Sequence, residues 1–359
     1  MNKELLETYS DYLISSFSYT TATGLSGLLD GAISHDKITR FLATEDFDAK
    51  TLWKTVKPLV RKYEQAAAVL LVDDTIEEKP YTDESELVCW HYDHSKDRMV
   101  KGINMVNVLY QTEQIRLPVN YTLVEKELWV WDKKKQKEVR KSAKTKNEHM
   151  REMLKVCVQN EIKFRYVLAD IWYGSAENMS YIAQDLERFF LLPLKTNRKV
   201  AVSLADKENG LYQAVSDLDV EQGSVTTIYV ERVDFPLQLT KRIFKNEDDS
   251  EAVLYLVTND LTRDAVHMAK KKKKRWGVEE FHASIKGNTS LAASPTKTKQ
   301  SQKNHIFASL YAFVKLELLR VETNLNHFAL RSKLYFKALQ ASFQELQRLK
   351  AQTAIACVR

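Results

Sequence analysis

The sequence predicts an α/β protein: a mixed β-sheet with flanking helices, a β-rich insertion, an N-terminal helical domain and C-terminal helices. Three observations predict this class. Short apolar runs alternate with helix-period segments between residues 66 and 194. Apolar residues recur at helical spacing in residues 1–65 and 302–352. Only 9 glycines and 6 prolines interrupt 359 residues, which favours long regular elements.

Composition excludes several classes of protein. The three cysteines, Cys89, Cys157 and Cys357, are widely spaced, which rules out a disulfide scaffold or a four-cysteine zinc site and agrees with a reducing cytosol. No apolar run approaches the ~18 residues that span a bilayer. The N-terminus lacks the apolar core of a secretory signal. We therefore expect a cytoplasmic protein with no membrane partner.

Basic residues are clustered along the chain, although the net charge of +6 is modest. Residues 133–146 hold eight bases and one acid, and residues 270–275 are all basic. Such clusters are either solvated faces or contacts to a polyanion. Their position around acidic motifs favours the second interpretation, because phosphate binding needs Lys and Arg close to the chemistry.

Residues 1–65 predict a helical domain. Gly31 closes one helix, and Ser34 caps the next, over residues 35–42. Two short helices joined by a glycine-containing turn form a helix-turn-helix pattern. Its second helix carries Lys37 and Arg40 on the outer face as candidate contacts to DNA. The alternative is a small helical bundle without DNA contact. A further helix covers residues 53–63.

Residues 66–195 predict the first part of a sheet core. Residues 66–72 are an apolar strand that ends in Asp73-Asp74-Thr75, and residues 164–169 are another that ends at Asp170. Between them lie a hairpin, residues 103–110 and 115–123, and a helix, residues 147–160. A helix at residues 176–187 and a strand at 189–194 follow. Glu77 and Glu78 are expected to be solvated.

The remaining chain divides into three parts. Residues 196–250 predict the β-rich insertion, with strands at 226–230 and 237–244 and a polar turn at 246–250. Residues 251–295 close the core with a strand, 253–258, and a helix, 264–287. Residues 296–359 form a C-terminal region with two long helices, 302–324 and 330–352.

Carboxylates follow two of the predicted strands. In mixed α/β sheets, ligand sites lie beyond the C-terminal ends of the strands, so Asp73 or Asp74 is expected close to Asp170. Adjacent buried carboxylates repel and are commonly neutralised by cations. Hard oxygen ligands without a nearby cysteine suit Mg²⁺ or Mn²⁺. Only one of the adjacent aspartates can face Asp170, because a strand alternates its faces.

The helix after the insertion carries a charged stripe. Arg275, Glu279, His282 and Lys286 fall on one face, while Val278, Phe281 and Ile285 form a separate apolar stripe. These charges are either surface salt bridges or a metal-binding Glu279 between phosphate-binding Arg275 and Lys286. Glu280 lies off the charged stripe.

Together these motifs resemble the bacterial insertion-sequence transposases of the Asp-Asp-Glu type, in the group with a Tyr-Arg-Glu-Lys signature. Arg275, Glu279 and Lys286 match both spacings of that signature, and Trp276 matches its Arg-Trp. Residues 72–75 match the Asp-x-Thr strand motif, which selects Asp73, and residues 168–173 match the second aspartate motif. Lys272 stands where the signature has tyrosine.

The resemblance implies a ribonuclease-H-like fold and a cut-and-paste DNA transposase that cleaves and transfers strands, with a hairpin at the transposon end. It implies that Asp73, Asp170 and Glu279 are catalytic and hold two Mg²⁺ (or Mn²⁺) ions. Expected DNA-phosphate ligands are Arg275, Lys286 and Lys272, and the candidates for stacking on a flipped base are Trp276 and Trp172.

The implied partners are double-stranded DNA, as terminal inverted repeats and target DNA, and a second copy in a homodimer on DNA. The implied location is the nucleoid of a prokaryotic cytoplasm. Two alternatives remain open: a non-catalytic DNA-binding relative, and a host ribonuclease-H-like nuclease.

Overall fold

The computed structural model describes residues 2–93, 96–133, 136–245 and 249–356. Cys357 and part of the predicted turn at 246–250 lie outside them. The chain forms two compact units: residues 49–281 in one, and residues 1–48 with 282–359 in the other. The five-part division expected from sequence stays a prediction. Within the described ranges, no helix combines the length and apolarity needed to cross a bilayer.

The unit of residues 49–281 is built on one large mixed sheet and a separate hairpin. Its strands are β1 (Val69–Glu78), β2 (Cys89–Asp93), β3 (Arg98–Gln111), β4 (Arg116–Leu123), β5 (Leu128–Asp132), β6 (Lys137–Lys141), β7 (Tyr166–Ala169), β8 (Phe189–Leu194), β9 (Lys199–Ala201), β10 (Gln213–Ala214), β11 (Thr226–Val230), β12 (Leu237–Lys245) and β13 (Glu251–Thr258). Its helices are α4 (Ala49–Lys62), α5 (Lys146–Gln159), α6 (Ala176–Ser180), α7 (Leu204–Glu208) and most of α8 (Ala265–Gly287).

The centre of the sheet has the order β4-β3-β1-β7-β8. β1, β7 and β8 run parallel, whereas β3 is antiparallel to β1 and β4 to β3. β1 and β7 are buried apolar strands, with all four residues of β7 buried, as expected for strands covered on both faces. This is the mixed sheet with flanking helices of a ribonuclease-H-like fold, as the sequence predicts.

The β-rich insertion extends the same sheet. β13 pairs antiparallel with β8, and β12, β11, β9 and β10 continue outward from β13. The strands predicted at residues 226–230, 237–244 and 253–258 are confirmed, with small shifts at their ends. Their alternation places a row of buried apolar residues on one face, including Ile228, Leu237 and Leu239.

Three sequence expectations for the core are wrong. β1 does not end at the aspartates, because its antiparallel partner β3 keeps pairing as far as Glu78 with Gly102. Strand β2 and hairpin β5–β6 were not expected; the second lies in the basic segment, where charge obscures the strand pattern. Glu77 is buried rather than solvated, with Lys79 Nζ at 3.9 Å.

The other unit is helical and combines both ends of the chain. Its helices are α1 (Lys3–Ser15), α2 (Ala22–Leu28), α3 (His35–Thr44), α9 (Lys299–Thr323) and α10 (His327–Ala356). Ser34 accepts a hydrogen bond from the Lys37 amide and caps α3, and Gly31 closes the preceding turn at a φ of 78°, both as the sequence predicts.

A buried polar network ties this unit together. The Glu317 carboxylate is fully buried and accepts two hydrogen bonds from Arg320, at 2.9 and 2.7 Å. His327 Nε2 lies 2.9 Å from the same carboxylate, and its Nδ1 lies 2.7 Å from Ser284 Oγ. Although the Ser–His–Glu order is that of hydrolytic triads, the serine is buried too, so the network acts as a structural link between helices.

Candidate active site

Two of the three predicted acids lie on neighbouring parallel strands or directly after them: Asp73 is within β1, and Asp170 follows β7. The β1–β7 pairing ends at Val72 opposite Ala169, and the next residues along the two strands are Asp73 and Asp170. Neighbouring strands lie ~4.8 Å apart, so both side chains leave the sheet at the same place. The Asp170 charge also raises the pKa of Asp73. The structure thus brings these two acids together.

Helix α8 carries the third acid to the same place. Arg275 Nη1 donates to Asp73 Oδ2 at 3.4 Å, and Nη2 of the same guanidinium donates to the Glu279 carboxylate. One planar group therefore spans Asp73 and Glu279, residues far apart in sequence. The apolar stripe below them is buried as predicted, at Val278, Phe281 and Ile285.

Asp73 is held in a poorly solvated position. Burial raises its pKa to about 7, and the neighbouring charges of Asp74 and Asp170 act in the same direction. The Asp74 amide, which donates to Asp73 Oδ1 at 2.9 Å, and the Arg275 charge oppose this rise without cancelling it. The negative charge of Asp73 is therefore only partly compensated by the protein itself.

Asp74 has a different set of partners. Its carboxylate accepts hydrogen bonds from Lys146 Nζ at 2.6 Å, Asn104 Nδ2 at 3.1 Å and the Tyr173 hydroxyl at 3.0 Å. Because successive side chains of a strand point to opposite faces, Asp74 is directed away from Asp73 and Arg275. These three partners were not identified from sequence, since they come from distant elements with no local signal.

Basic side chains surround the acids. Lys272 is half-buried, and burial lowers its pKa, followed by the charges of Arg275 and Arg242; Glu279 and Asp170 oppose the shift. Lys272 and Arg275 line one small cavity, with Leu168, Ala169, Leu191, Pro193 and Leu256. Arg242, on β12 of the insertion, was missed by sequence reasoning because nothing in the local sequence relates it to α8.

Glu280 is separated from the site, as its place off the charged stripe predicts. It is exposed and paired with Arg116 of β4. Trp276 is 61% exposed and Trp172 46%, so neither is a core residue. Lys195 Nζ lies 4.0 Å from the centre of the Trp172 ring. For both indoles, stacking on a flipped base stays a prediction.

The remaining predicted site residues belong to the helical unit. Lys286 lies near the end of α8 and is partly exposed. Lys37 and Arg40 are exposed on α3, whose opposite side buries Ile38 and Phe41. Their outward orientation agrees with the sequence pattern, while their contact with DNA stays a prediction.

The donor set of the site suits a hard divalent cation. Asp73, Asp170 and Glu279 offer only carboxylate oxygens, which Mg²⁺ and Mn²⁺ prefer. The incompletely compensated charge of Asp73 is one that a cation would balance. Across the described residues, no three acidic, histidine or cysteine side chains are grouped closely enough to hold an ion. Here the Arg275 guanidinium lies between two of the acids.

A cysteine–histidine pair elsewhere in this unit does not form a nucleophile. Cys89 Sγ and His91 Nε2 lie 3.2 Å apart on β2. Burial raises the pKa of Cys89 to about 11 and lowers that of His91 to about 3, so the pair is a neutral thiol and a neutral imidazole.

Comparison with known families agrees with this geometry. Residues 2–209, more than half of the chain, match the model of the DDE superfamily endonucleases. Residues 135–314 match the model of the transposase DDE domain. No curated protein matches the chain at a significant level. The two family matches together span all three acids, and the chain therefore belongs to the DDE superfamily of endonucleases and transposases.

Proposed function

We propose that this protein is a DNA transposase that binds the ends of its element and catalyses metal-dependent strand cleavage and strand transfer. One observation carries the proposal: Arg275 bonds to both Asp73 and Glu279, while Asp170 follows the strand beside Asp73. Three carboxylates and a guanidinium converge at the carboxyl ends of parallel strands, where α/β sheets bind ligands.

The three acids are the proposed ligands of two Mg²⁺ or Mn²⁺ ions. Such ions, when bound, stabilise the attacking and leaving oxygens of an in-line phosphoryl transfer. The protein's contribution is a set of positioned carboxylates: Asp73 lies on β1, Asp170 directly follows the parallel strand β7, and Glu279 lies on a helix with a buried apolar stripe. Asp73 would have to be deprotonated to act as a ligand of such an ion.

The basic residues are proposed to hold the DNA backbone at the scissile phosphate. Arg275 presents a planar fork that suits a phosphate in bidentate geometry. In this structure the guanidinium pairs with Asp73 and Glu279. A cation held by these two carboxylates would take over the compensation of their charge and would leave Arg275 to pair with phosphate. Lys272 adds positive charge near Glu279 and Asp170, and the charge of Arg242 acts on Lys272 in turn. Lys286 follows Glu279 at the spacing of the Tyr-Arg-Glu-Lys signature, which supports membership of that insertion-sequence group.

The long C-terminal helix is the proposed dimer contact of the DNA complex. Tyr335, Phe336, Leu339, Phe343, Leu346 and Leu349 of α10 are 46–63% exposed. At 100° per residue they fall within one apolar stripe of the helix. A second copy offers the same stripe, and pairing two such faces buries apolar surface.

A matched pair of α8 variants tests the catalytic assignment. Glu279→Gln is expected to abolish Mg²⁺-dependent cleavage of DNA carrying the element ends, because a neutral amide is a poor ligand for a hard cation. Glu280→Gln changes the same chemistry one residue away, on a side chain paired with Arg116, and is expected to leave cleavage intact. End binding, measured by electrophoretic mobility shift, should persist in both.

Three results would contradict the proposal. Cleavage by Glu279→Gln at the parent rate would remove this residue from the chemistry. Equal loss in both variants would mean that the helix face, and not the carboxylate at 279, is what matters. Cleavage of any DNA without joining to a target would leave a nuclease in place of a transposase.

A further inference from the structure

The hairpin β5–β6 is the feature that the proposed site leaves unused. Among the residues that the structure describes, its two strands pair with each other and with no strand of the large sheet. Trp129 and Trp131 are both 56% exposed, and they share a face because they alternate along β5. Two exposed tryptophans on one face of a small hairpin are typical of a surface that binds a ligand.

The positive charge of the chain is concentrated in this segment. Residues 126–146 contain nine lysine or arginine residues and three acidic ones. Subtracting these from the chain's 54 basic and 48 acidic residues leaves 45 of each. The whole net charge of +6 is therefore carried by these residues, a pattern suited to a polyanion.

A cleft of about 630 Å³ lies between the hairpin and the edge strand β2. Its lining includes Trp90, Met99, Lys126, Trp129, Arg140 and Lys141, together with the acids Glu84, Asp132 and Glu138. The Arg140 guanidinium lies 4.4 Å from the centre of the Trp129 ring and 3.9 Å from Glu84. Trp90, 47% exposed, faces the same cleft from β2.

We infer that this cleft binds an unpaired DNA strand, with a base stacked on Trp129 or Trp90 and the phosphates held by the flanking lysines. The inference rests on the proposed function, to which it adds a second DNA contact. Sites that bind single-stranded nucleic acids commonly combine aromatic rings with basic side chains, because any base can stack on a ring through its π-face. Duplex DNA hides those faces within its own stack.

The cleft is within reach of the same DNA strand as the catalytic acids. Glu78 pairs with Gly102, which also pairs with Cys89 of the cleft lining. Glu78 is five residues along β1 from Asp73, so the two sites are separated by roughly 17 Å along the strand direction. A DNA strand covers that distance in about five nucleotides at ~3.4 Å each.

The test compares binding of a fluorescent dT oligonucleotide and a duplex of equal length by full-length protein in EDTA. Trp129→Leu is expected to weaken dT binding about tenfold and duplex binding much less, because leucine keeps the charges and loses the stacking face. Trp129→Phe should recover most of the dT affinity. Tyr81→Ala removes an aromatic that is 97% exposed and does not line the cleft, and should change neither.

Unchanged dT affinity in Trp129→Leu would overturn the inference, as would an equal loss on the oligonucleotide and the duplex. A changed oligomeric state with unchanged dT affinity would identify the cleft as a protein–protein contact and would also overturn it. Binding in EDTA needs no chemistry, so these outcomes are independent of cleavage by Glu279→Gln. Either claim can therefore fail alone.

Discussion

Replacing Asp73 with asparagine is expected to stabilise the protein while abolishing strand cleavage. Burial raises the pKa of Asp73 from its ordinary 3.8 to about 7. An acid whose pKa is higher in the folded than in the unfolded protein lowers the stability once the pH exceeds the pKa of the unfolded state. The cost grows with pH until the pH exceeds the pKa of the folded state. At 1.36 kcal/mol per pKa unit, the cost is about 2 kcal/mol at pH 5 and about 4 kcal/mol at pH 8.

Asparagine has no charge to bury, so Asp73→Asn should regain this free energy. The assay is urea denaturation in EDTA at pH 5 and pH 8, followed by circular dichroism. The expected gain is larger at pH 8 by about 2 kcal/mol, and this difference between pH values cancels any change in packing. Adding Mg²⁺ should stabilise the parent at pH 8 and not the variant, because a bound ion stabilises only the state that holds it.

Asp74→Asn is the matched control for this experiment. It removes the charged partner of Lys146 and weakens the hydrogen bonds from Asn104 and Tyr173. It should therefore lower the free energy of unfolding by about 1–3 kcal/mol at both pH values. The raised pKa of Asp73 would be refuted if the stability gained by Asp73→Asn were no larger at pH 8 than at pH 5. It would also be refuted if the substitution lowered the free energy of unfolding and did so more at pH 8.

Three further predictions concern stability and assembly. Burial favours the neutral form of Asp260, but hydrogen bonds from its neighbours outweigh burial and lower its pKa to about 2. The stabilisation from this carboxylate should therefore be complete above pH ~4 and disappear toward pH 2. Asp260→Asn should remove this part of the pH dependence in acid unfolding. Glu317→Ala should cost about 3–5 kcal/mol in urea denaturation, because it removes the carboxylate shared by Arg320 and the buried His327. Glu345→Ala is the control: it removes an exposed carboxylate paired with Arg348 and should change the free energy of unfolding little. Phe343→Glu should leave the monomer folded but prevent dimerisation on DNA, seen by light scattering; a dimer of unchanged mass would exclude this face of α10.

Local sequence accounts for much of the fold. The apolar runs that became β1 and β7 and the helical period of α8 were readable because burial imposes a period of two or 3.6 on neighbouring residues. The same logic gave the buried stripe at Val278, Phe281 and Ile285. The same reasoning failed for hairpin β5–β6, because its exposed tryptophans and lysines do not pack against a core and so show no burial pattern. It also failed for Glu77, because the burial of this residue depends on elements distant from it in the sequence.

The sequence by itself determined which acids could act together: spacing on one helix aligned Arg275 with Glu279, and two apolar strands each led to an aspartate. The family motif selected Asp73 over Asp74, but only the tertiary structure gave Asp73 its contact with Arg275, since strand pairing fixes which side of β1 meets α8. It also decided that the charge of Arg242 acts on Lys272 and that Asp74 is held by Lys146. Those contacts join residues that are distant along the chain. The spacing of apolar residues within one element indicates which of its faces is buried, but not which residues pack against that face.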